Sequence, residues 1–242
     1  MPPDADRANS AVDAARPDRH TAQPILRTER LRLVPLADEH LDLEIELDSD
    51  PAVMRYLTGR AASRTEAEQA HRRRIAAAHE LPGLGFWAGF AGEEFIGWWL
   101  LRPPNGPDQP KVAGEAELGY RVLRRHWRRG YAGEGGRELI RYGFQDMRLN
   151  RIFAQTLAVN HPSRATMTAV GLSFARAFIS DEPYDATVPG ADQGEVEYEI
   201  SRTTWRHQRG CGDGAVGAAP GQGSADGPVN APRGSGGRRL SS

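Results

Sequence analysis

The sequence predicts one mixed α/β (α+β) domain, with strands and helices alternating irregularly around a single sheet. Three observations predict it. Apolar spacing between residues 23 and 206 switches repeatedly between the strand period of two and the helical period of about 3.6. Helix-start signals and a hairpin signal separate the segments. Both ends of the chain are too poor in large apolar residues to offset the entropy of ordering them.

The elements follow in order. Ile25 to Leu36 alternates as a strand, with Leu31 and Leu33 on one face. Asp38 is placed to cap a helix through Leu47, and Asp50-Pro51 starts another, with Pro at the first helical position. Thr65 and Glu68 form a capping-box pattern ahead of an Arg-rich helix to about His79. Leu84 to Ala91 and Phe95 to Leu101 are strands joined at Gly92-Glu93-Glu94, a hairpin. Residues 103–113 read as a loop. Glu115 to Leu123 is a strand, and Ala132 to Met147 a helix with Leu139, Ile140, Gly143 and Phe144 on one face. Arg151 to Val159, Pro162 to Val170, Leu172 to Ile179 and Glu195 to Ser201 complete the order as strand, short helix, strand, strand. Residues 1–22 and 207–242 read as disordered tails; the second holds 10 of the 27 glycines and no aromatic residue.

Composition narrows the function classes. Lys and Arg total 31 against 32 acids, a net charge of −1, which excludes a generally basic nucleic-acid coat. Lys111 is the lone lysine, so the bias is toward Arg in type and not in sign. No apolar run is long enough to cross a membrane, and the N-terminus lacks the apolar stretch of a secretory signal. Cys211, the single cysteine, allows neither an internal disulfide nor a cysteine-based metal site, and the seven histidines show no ligand spacing. The expectation is a cytoplasmic, metal-free protein.

The chemistry concentrates in Glu115 to Ala132, EAELGYRVLRRHWRRGYA, followed by GEGGRELIRYGF. A strand runs into an arginine-rich turn, then small residues, then a helix. Gly130 and Ala132 let the backbone come close to a ligand, and the helix start presents unpaired N–H groups and its positive end to that turn. This arrangement suits a phosphate. A tight turn with solvated arginines is the alternative. Neither the P-loop nor the dinucleotide fingerprint is present. A second strand-to-helix junction follows at Asn160-His161-Pro162-Ser163, where Asn160 caps the helix and can also meet a ligand.

Taken in order, LRTERLRLVPL, ELGYRVLRRHWRRGYAGEG, LNRIFAQTLAVNHPSRATMTAVGLSF and VEYEISRTTW resemble the GNAT-fold N-acetyltransferases, in the branch of ribosomal-protein N-terminal acetyltransferases. The resemblance implies a mostly antiparallel sheet of about seven strands with helices on both faces. It also implies a splayed parallel strand pair that holds the co-substrate acetyl-CoA. The family's pyrophosphate loop, Q/R-x-x-G-x-G/A, falls on Trp127 to Ala132, with Trp127 in the first slot, a variant common in this branch. By resemblance, backbone N–H groups of Arg128, Arg129, Gly130, Tyr131, Ala132 and Gly133 would hold the pyrophosphate. Val122 and Leu123 would pair with the pantetheine arm, and Asn160 and Ser163 would lie along it.

Acetyl transfer to an amine needs a base, because a typical amine is protonated near neutral pH. Glu117 matches the place where this branch often carries a glutamate, and Glu115 shares its side-chain direction by alternation. Glu117 is the expected catalytic base; binding a cationic substrate or the arginine corner is its alternative. A backbone N–H near Val122 would stabilise the oxyanion. Many relatives carry a tyrosine acid seven residues after the asparagine, a slot filled here by Met167, so Ser163 is the expected catalytic substitute. Tyr131 is expected in a packing or adenine-side role.

The expected acceptor is a protein N-terminal amine or a small-molecule amine, shaped by residues 50–80, 103–113 and 180–194. Asp181, Glu182 and Asp185 would suit a cationic acceptor. Trp87, Trp98 and Trp99 read as core or cleft wall, His71 and His79 as part of a polar helix, and Arg72-Arg73-Arg74 as a solvated face. Arg121, Arg124, Arg125, Arg128 and Arg129 cluster in sequence at the proposed cradle. Monomer and homodimer are both compatible. Two other readings stand: an acyl-CoA-binding sensor without catalysis, and an RNA-associated role suggested by the arginine corner.

Overall fold

A computed structural model describes residues 23–79, 82–106, 108–180 and 188–210. Residues 1–22 and 211–242, with Cys211, lie outside the described residues, as do Asp181, Glu182 and Asp185.

Eight strands form one sheet in the order β1-β2-β3-β4-β5-β6-β8-β7. They are β1 (Leu26–Arg27), β2 (Arg32–Pro35), β3 (Gly85–Ala91), β4 (Glu94–Arg102), β5 (Glu115–Val122), β6 (Arg151–Leu157), β7 (Ser173–Phe178) and β8 (Glu195–Ser201). Every pairing is antiparallel except β5 with β6. The helices are α1 (Leu41–Asp48), α2 (Pro51–Met54), α3 (Arg64–His79), α4 (Tyr131–Gln145), α5 (His161–Ala169) and α6 (Arg202–Gly210).

Alternation along the central strands divides the core into two layers. Leu118 and Val122 of β5 and Ile152 and Ala154 of β6 pack beneath Leu139 and Ile140 of α4 and Met167 of α5. On the other face, Phe86, Trp98, Leu100 and Leu123 pack with Leu47 of α1 and Ile75 of α3. Trp99 is fully buried, and its indole N–H donates to Ala132 O at 3.1 Å, which fixes where α4 begins. Gly135 makes this approach possible: a Cβ there would sit 2.5 Å from the Trp99 ring.

Several sequence expectations need correcting. The strand expected over Ile25 to Leu36 is two short strands paired with each other, because Thr28 turns the chain. Its N–H donates to Leu31 O at 2.9 Å and its hydroxyl accepts from Leu31 N–H at 2.8 Å. This split makes eight strands where about seven were expected. Asp38 does not cap the next helix; a 3-10 turn over Asp38–His40 intervenes, and Nδ1 of buried His40 accepts the Ala37 N–H at 3.0 Å. The capping box before α3 is Ser63 with Glu66, two residues ahead of the expected pair. Ser63 N–H donates to Glu66 Oε2 at 2.8 Å, and Ser63 Oγ accepts the Glu66 N–H at 3.3 Å. Asp50 does cap α2, accepting from Ala52 N–H at 2.8 Å. The helix α6 was not expected and runs to Gly210, past Arg206; its Trp205 ring lies 5.5 Å from that of Phe144.

Candidate active site

The sheet is open where its two parallel strands part. β5 and β6 pair over three rungs only, Glu115 with Arg151, Ala116 with Ile152 and Glu117 with Phe153. Beyond Glu117, β5 stays paired to β4 and β6 to β8, so their C-terminal halves diverge. Leu123 N–H donates to Ile96 O at 2.9 Å. The alternation of an antiparallel ladder then turns the Val122 peptide groups away from β4, toward the space β6 has left. The Val122 carbonyl accepts the Trp127 indole N–H at 2.7 Å, which leaves its N–H facing the gap. Leu123 is different. Its N–H is held by Ile96 and its carbonyl by His126 N–H at 2.9 Å, so of the two residues expected along the pantetheine arm Val122 is the one whose N–H faces the gap.

The chain leaves β5 through a 3-10 turn and enters α4 at a cradle of unpaired donors. Arg128 and Gly130 both have left-handed backbones, with φ of 61° and 83°. Such an alternation of backbone hands makes N–H groups converge on one concavity. Gly130 is the N-cap and offers no side chain to the first turn. Among the described residues, no N–H from Arg128 through Gly133 has an acceptor. The same turn is gripped from outside. Glu134 accepts from Thr28 Oγ1 at 2.5 Å, Arg30 N–H at 2.9 Å and Arg30 Nε at 2.7 Å. Burial alone would raise the Glu134 carboxyl, but these bonds hold it below its ordinary range. The Arg30 guanidinium stacks 4.6 Å from the centroid of Tyr131, the residue expected in a packing or adenine-side role.

A second helix start flanks the gap. Asn160 caps α5 through Oδ1, which accepts the Ser163 N–H at 3.4 Å, while its Nδ2 donates to Thr156 Oγ1 at 2.9 Å. Ser163 reaches across the gap: the Tyr120 hydroxyl of β5 lies 3.1 Å from Ser163 O and 3.2 Å from Ser163 Oγ. Burial pushes the Tyr120 phenol above its ordinary value, opposed by its bonds to Ser163 and Thr166. Met167 is buried in the core at 2% exposure and presents nothing to the gap.

On the opposite face, Glu117 sits at the last parallel rung, where the strands part. Arg102, its direct partner on β4, donates to Glu117 Oε2 from both Nε, at 2.9 Å, and Nη2, at 2.7 Å. Among the described residues Oε1 has no donor. Glu197 on β8 contrasts with it. Its Oε1 accepts from Arg151, and its Oε2 from Gln155 and Arg176 at 2.8 and 2.9 Å, so both oxygens are taken. Glu115, which shares the direction of Glu117, is bound by Arg151 at 2.8 Å and sits two residues farther from the opening. The loop 103–113 folds over this face, with Gln109 Nε2 donating to Gln155 Oε1 at 2.6 Å.

Comparison with known proteins identifies this frame. A family description, the acetyltransferase (GNAT) domain, matches residues 30–173. The chain belongs to the GNAT acetyltransferase family. A GNAT acetyltransferase of this kind takes its acetyl group from acetyl-CoA as co-substrate. The chain is 42% identical over 187 residues to the FsC-acetyl coenzyme A-N(2)-transacetylase of Aspergillus fumigatus, across 76% of this chain and 79% of that one. Among solved structures, the GNAT fold matches the spermidine N-acetyltransferase of Vibrio cholerae at a TM-score of 0.59 and 18% identity, over 74% of this chain and 99% of that one. It also matches the ribosomal L7/L12 alpha-N-protein acetyltransferase RimL at 0.60 and 14%, over 73% and 97%. At these identities the two structures share the fold.

The GNAT domain also holds residues that the sequence did not single out. Arg102, Tyr120 and Arg30 had no local signal, because each acts by a contact across strands or between distant segments. The five clustered arginines separate. Arg121 points to the α1 face, where it pairs with Asp48 and lies 4.9 Å from the Trp98 ring. Arg125 pairs with Glu46 at 2.5 Å. Arg124, Arg125, Arg128 and Arg129 stay exposed beside the turn. Arg74 is likewise no solvated side chain: it donates to Glu44 at 2.6 Å, and the same carboxylate lies 2.5 Å from His71, which sits on the polar helix α3 as expected but is buried at 2% exposure. Trp87, Trp98 and Trp99 are buried, as expected. Among the described residues, no group of three or more His, Cys, Asp or Glu side chains could hold a metal ion, and no helix is long and apolar enough to cross a membrane. Two open clefts of about 460 and 590 Å³ lie along α4, and neither is lined by β5 or β6.

Proposed function

We propose that this acetyltransferase acts on a small-molecule amine by direct attack in a ternary complex, with Glu117 as base. The observation that carries the reading is the carboxylate at the opening of β5 and β6 with one oxygen clamped by Arg102 and the other unengaged. The unpaired N–H groups of Arg128, Arg129, Gly130, Tyr131, Ala132 and Gly133 suit the CoA pyrophosphate. The Val122 N–H and the Asn160 and Ser163 side chains then flank the pantetheine arm. Acetyl-CoA supplies a thioester carbonyl activated toward an amine.

Glu117 Oε1 takes the proton of the attacking amine. The Val122 N–H donates to the carbonyl oxygen as that oxygen gains negative charge. As the carbon–sulfur bond breaks, the Ser163 hydroxyl, hydrogen-bonded to Tyr120, donates toward the departing sulfur. A cysteine-like thiol, with a pKa of about 8.5, needs little help to leave. The acceptor class is inferred from the transacetylase of Aspergillus fumigatus, whose name specifies an N(2) nitrogen and whose 42% identity far exceeds that of the spermidine and ribosomal-protein enzymes. The preferred acceptor is therefore an amine equivalent to that N(2) position.

The test is steady-state kinetics with a panel of small amines and N-terminal peptides. Glu117→Gln is expected to lower kcat by about 10²- to 10⁴-fold with CoA affinity unchanged. Arg102→Met is expected to lower kcat less, and the double variant to be no slower than Glu117→Gln alone. A full rate in Glu117→Gln would remove Glu117 as base, and turnover confined to peptides would overturn the acceptor class.

A further inference from the structure

We propose that Arg30, about 100 residues ahead of the cradle in sequence, is the positioning residue that sets the cradle's peptide orientation for phosphate. The inference rests on the reading of residues 128–133 as the pyrophosphate site.

The geometry at one peptide carries it. Arg30 Nη1 donates to the Arg129 carbonyl at 3.0 Å. That carbonyl and the Gly130 N–H belong to one planar trans peptide and point in opposite directions. Holding the carbonyl on the outer side therefore aims the Gly130 N–H inward, toward the neighbouring unpaired donors. Gly130 has no Cβ and φ of 83°, so its own conformation opposes rotation of this peptide weakly. With the carbonyl turned inward instead, the concavity would present an oxygen lone pair to an anion.

The guanidinium is itself held in place. Its Nε and Nη2 lie 2.7 and 2.5 Å from Glu134 Oε2, and its face rests on Tyr131. The Arg30 N–H and the Thr28 hydroxyl fix the other oxygen of Glu134. Nη2 lies against Gly130, 3.3 Å from where a Cβ would be. The planar fork thus spans two acceptors, the Glu134 carboxylate and the Arg129 carbonyl, which the single nitrogen of a lysine cannot engage in the same geometry. The short β1–β2 turn carries Arg30 at this position.

The experiment compares the wild-type full chain with Arg30→Met, Arg30→Lys and Thr28→Val. CoA affinity is measured by calorimetry, and steady-state kinetics are measured below the melting temperature of every variant. Arg30→Met is expected to weaken CoA binding and raise the KM for acetyl-CoA by roughly tenfold to a hundredfold, the scale of one hydrogen bond to a charged group. At saturating acetyl-CoA, kcat is expected to stay within about twofold, since no reacting atom is touched. Arg30→Lys is expected to recover part of the affinity. Thr28→Val, which loses the hydroxyl's bonds to Glu134 and the Leu31 N–H but keeps the Arg30 fork, is expected to weaken CoA binding less than Arg30→Met does. CoA binding within twofold of wild type in Arg30→Met overturns the proposal, and so does a fall in kcat with no change in KM. Failure of the wild-type chain to bind CoA, or binding unaffected by Gly130→Ala, would instead overturn the cradle reading beneath it.

Discussion

Gly130 combines two demands that no other residue meets cheaply. It takes a left-handed backbone at the N-cap of α4 and leaves room for the Arg30 guanidinium. An alanine there pays about 1–2 kcal/mol in backbone strain. Gly130→Ala is expected to lower the denaturation midpoint by that amount and to raise the KM for acetyl-CoA, both measurable on one preparation. Arg128 also has a left-handed φ, but without glycine's freedom, which marks the turn as strained in favour of its donors. The carboxylates on the opposite face follow a similar logic. Glu197 has both oxygens bound by positive or amide donors and ties strands together. Glu117 has one oxygen bound and one available, which separates a candidate base from a structural acid where residue type alone could not.

At the scale of elements, local sequence signals worked where one segment contains both partners. Asp50-Pro51, Asn160-His161-Pro162 and the Gly92-Glu93 turn all satisfy their own backbone, and the structure has them as read. They failed at the Thr28 turn, whose partner lies on another element, and also at two local starts, the Ser63–Glu66 box before α3 and the His40 turn before α1. The turn at Thr28 has no glycine or proline, and its hydroxyl also engages Glu134 on α4. The start of α1 depends on His40, whose Nδ1 accepts the Ala37 N–H and so must carry no proton. Burial holds the His40 imidazole below the ordinary histidine value, with Glu39 and Glu44 opposing and His71 and Arg32 assisting. Burial lowers His126 in the same direction, opposed by Glu94. Below about pH 6.5 the unfolded chain therefore takes up protons that the folded imidazoles resist, and stability falls as pH drops toward their folded values. Thermal melts at pH 7.5 and 5.5 are expected to show the loss, with a smaller difference in His40→Gln.

At the scale of the whole molecule, Trp99 joins the sheet to the cradle. It is fully buried on β4, its N–H holds Ala132 O, and Gly135 admits its ring. Trp99→Ala is expected to cost about 3–5 kcal/mol by chemical denaturation, as for other large aromatic deletions, and to raise the KM for acetyl-CoA. Arg128→Ala, on an exposed side chain, is expected to leave stability unchanged. The two junctions that face the opening, β5 to α4 and β6 to α5, come from segments whose motifs are continuous in sequence. The amino-acid sequence by itself thus determined the alternation of elements, the small-residue turn at Gly130, the cap at Asn160 and the family. Each rests on contacts within a few residues or on a pattern spread along the chain. Only the tertiary structure decided which side chains serve the opening. It turned Arg121 away to Asp48, set Arg102 on Glu117, brought Tyr120 to Ser163 and laid Arg30 against Arg129. The physical reason is that strand pairing and helix docking choose these partners, and nothing in the local chain encodes a partner 15 to 100 residues away.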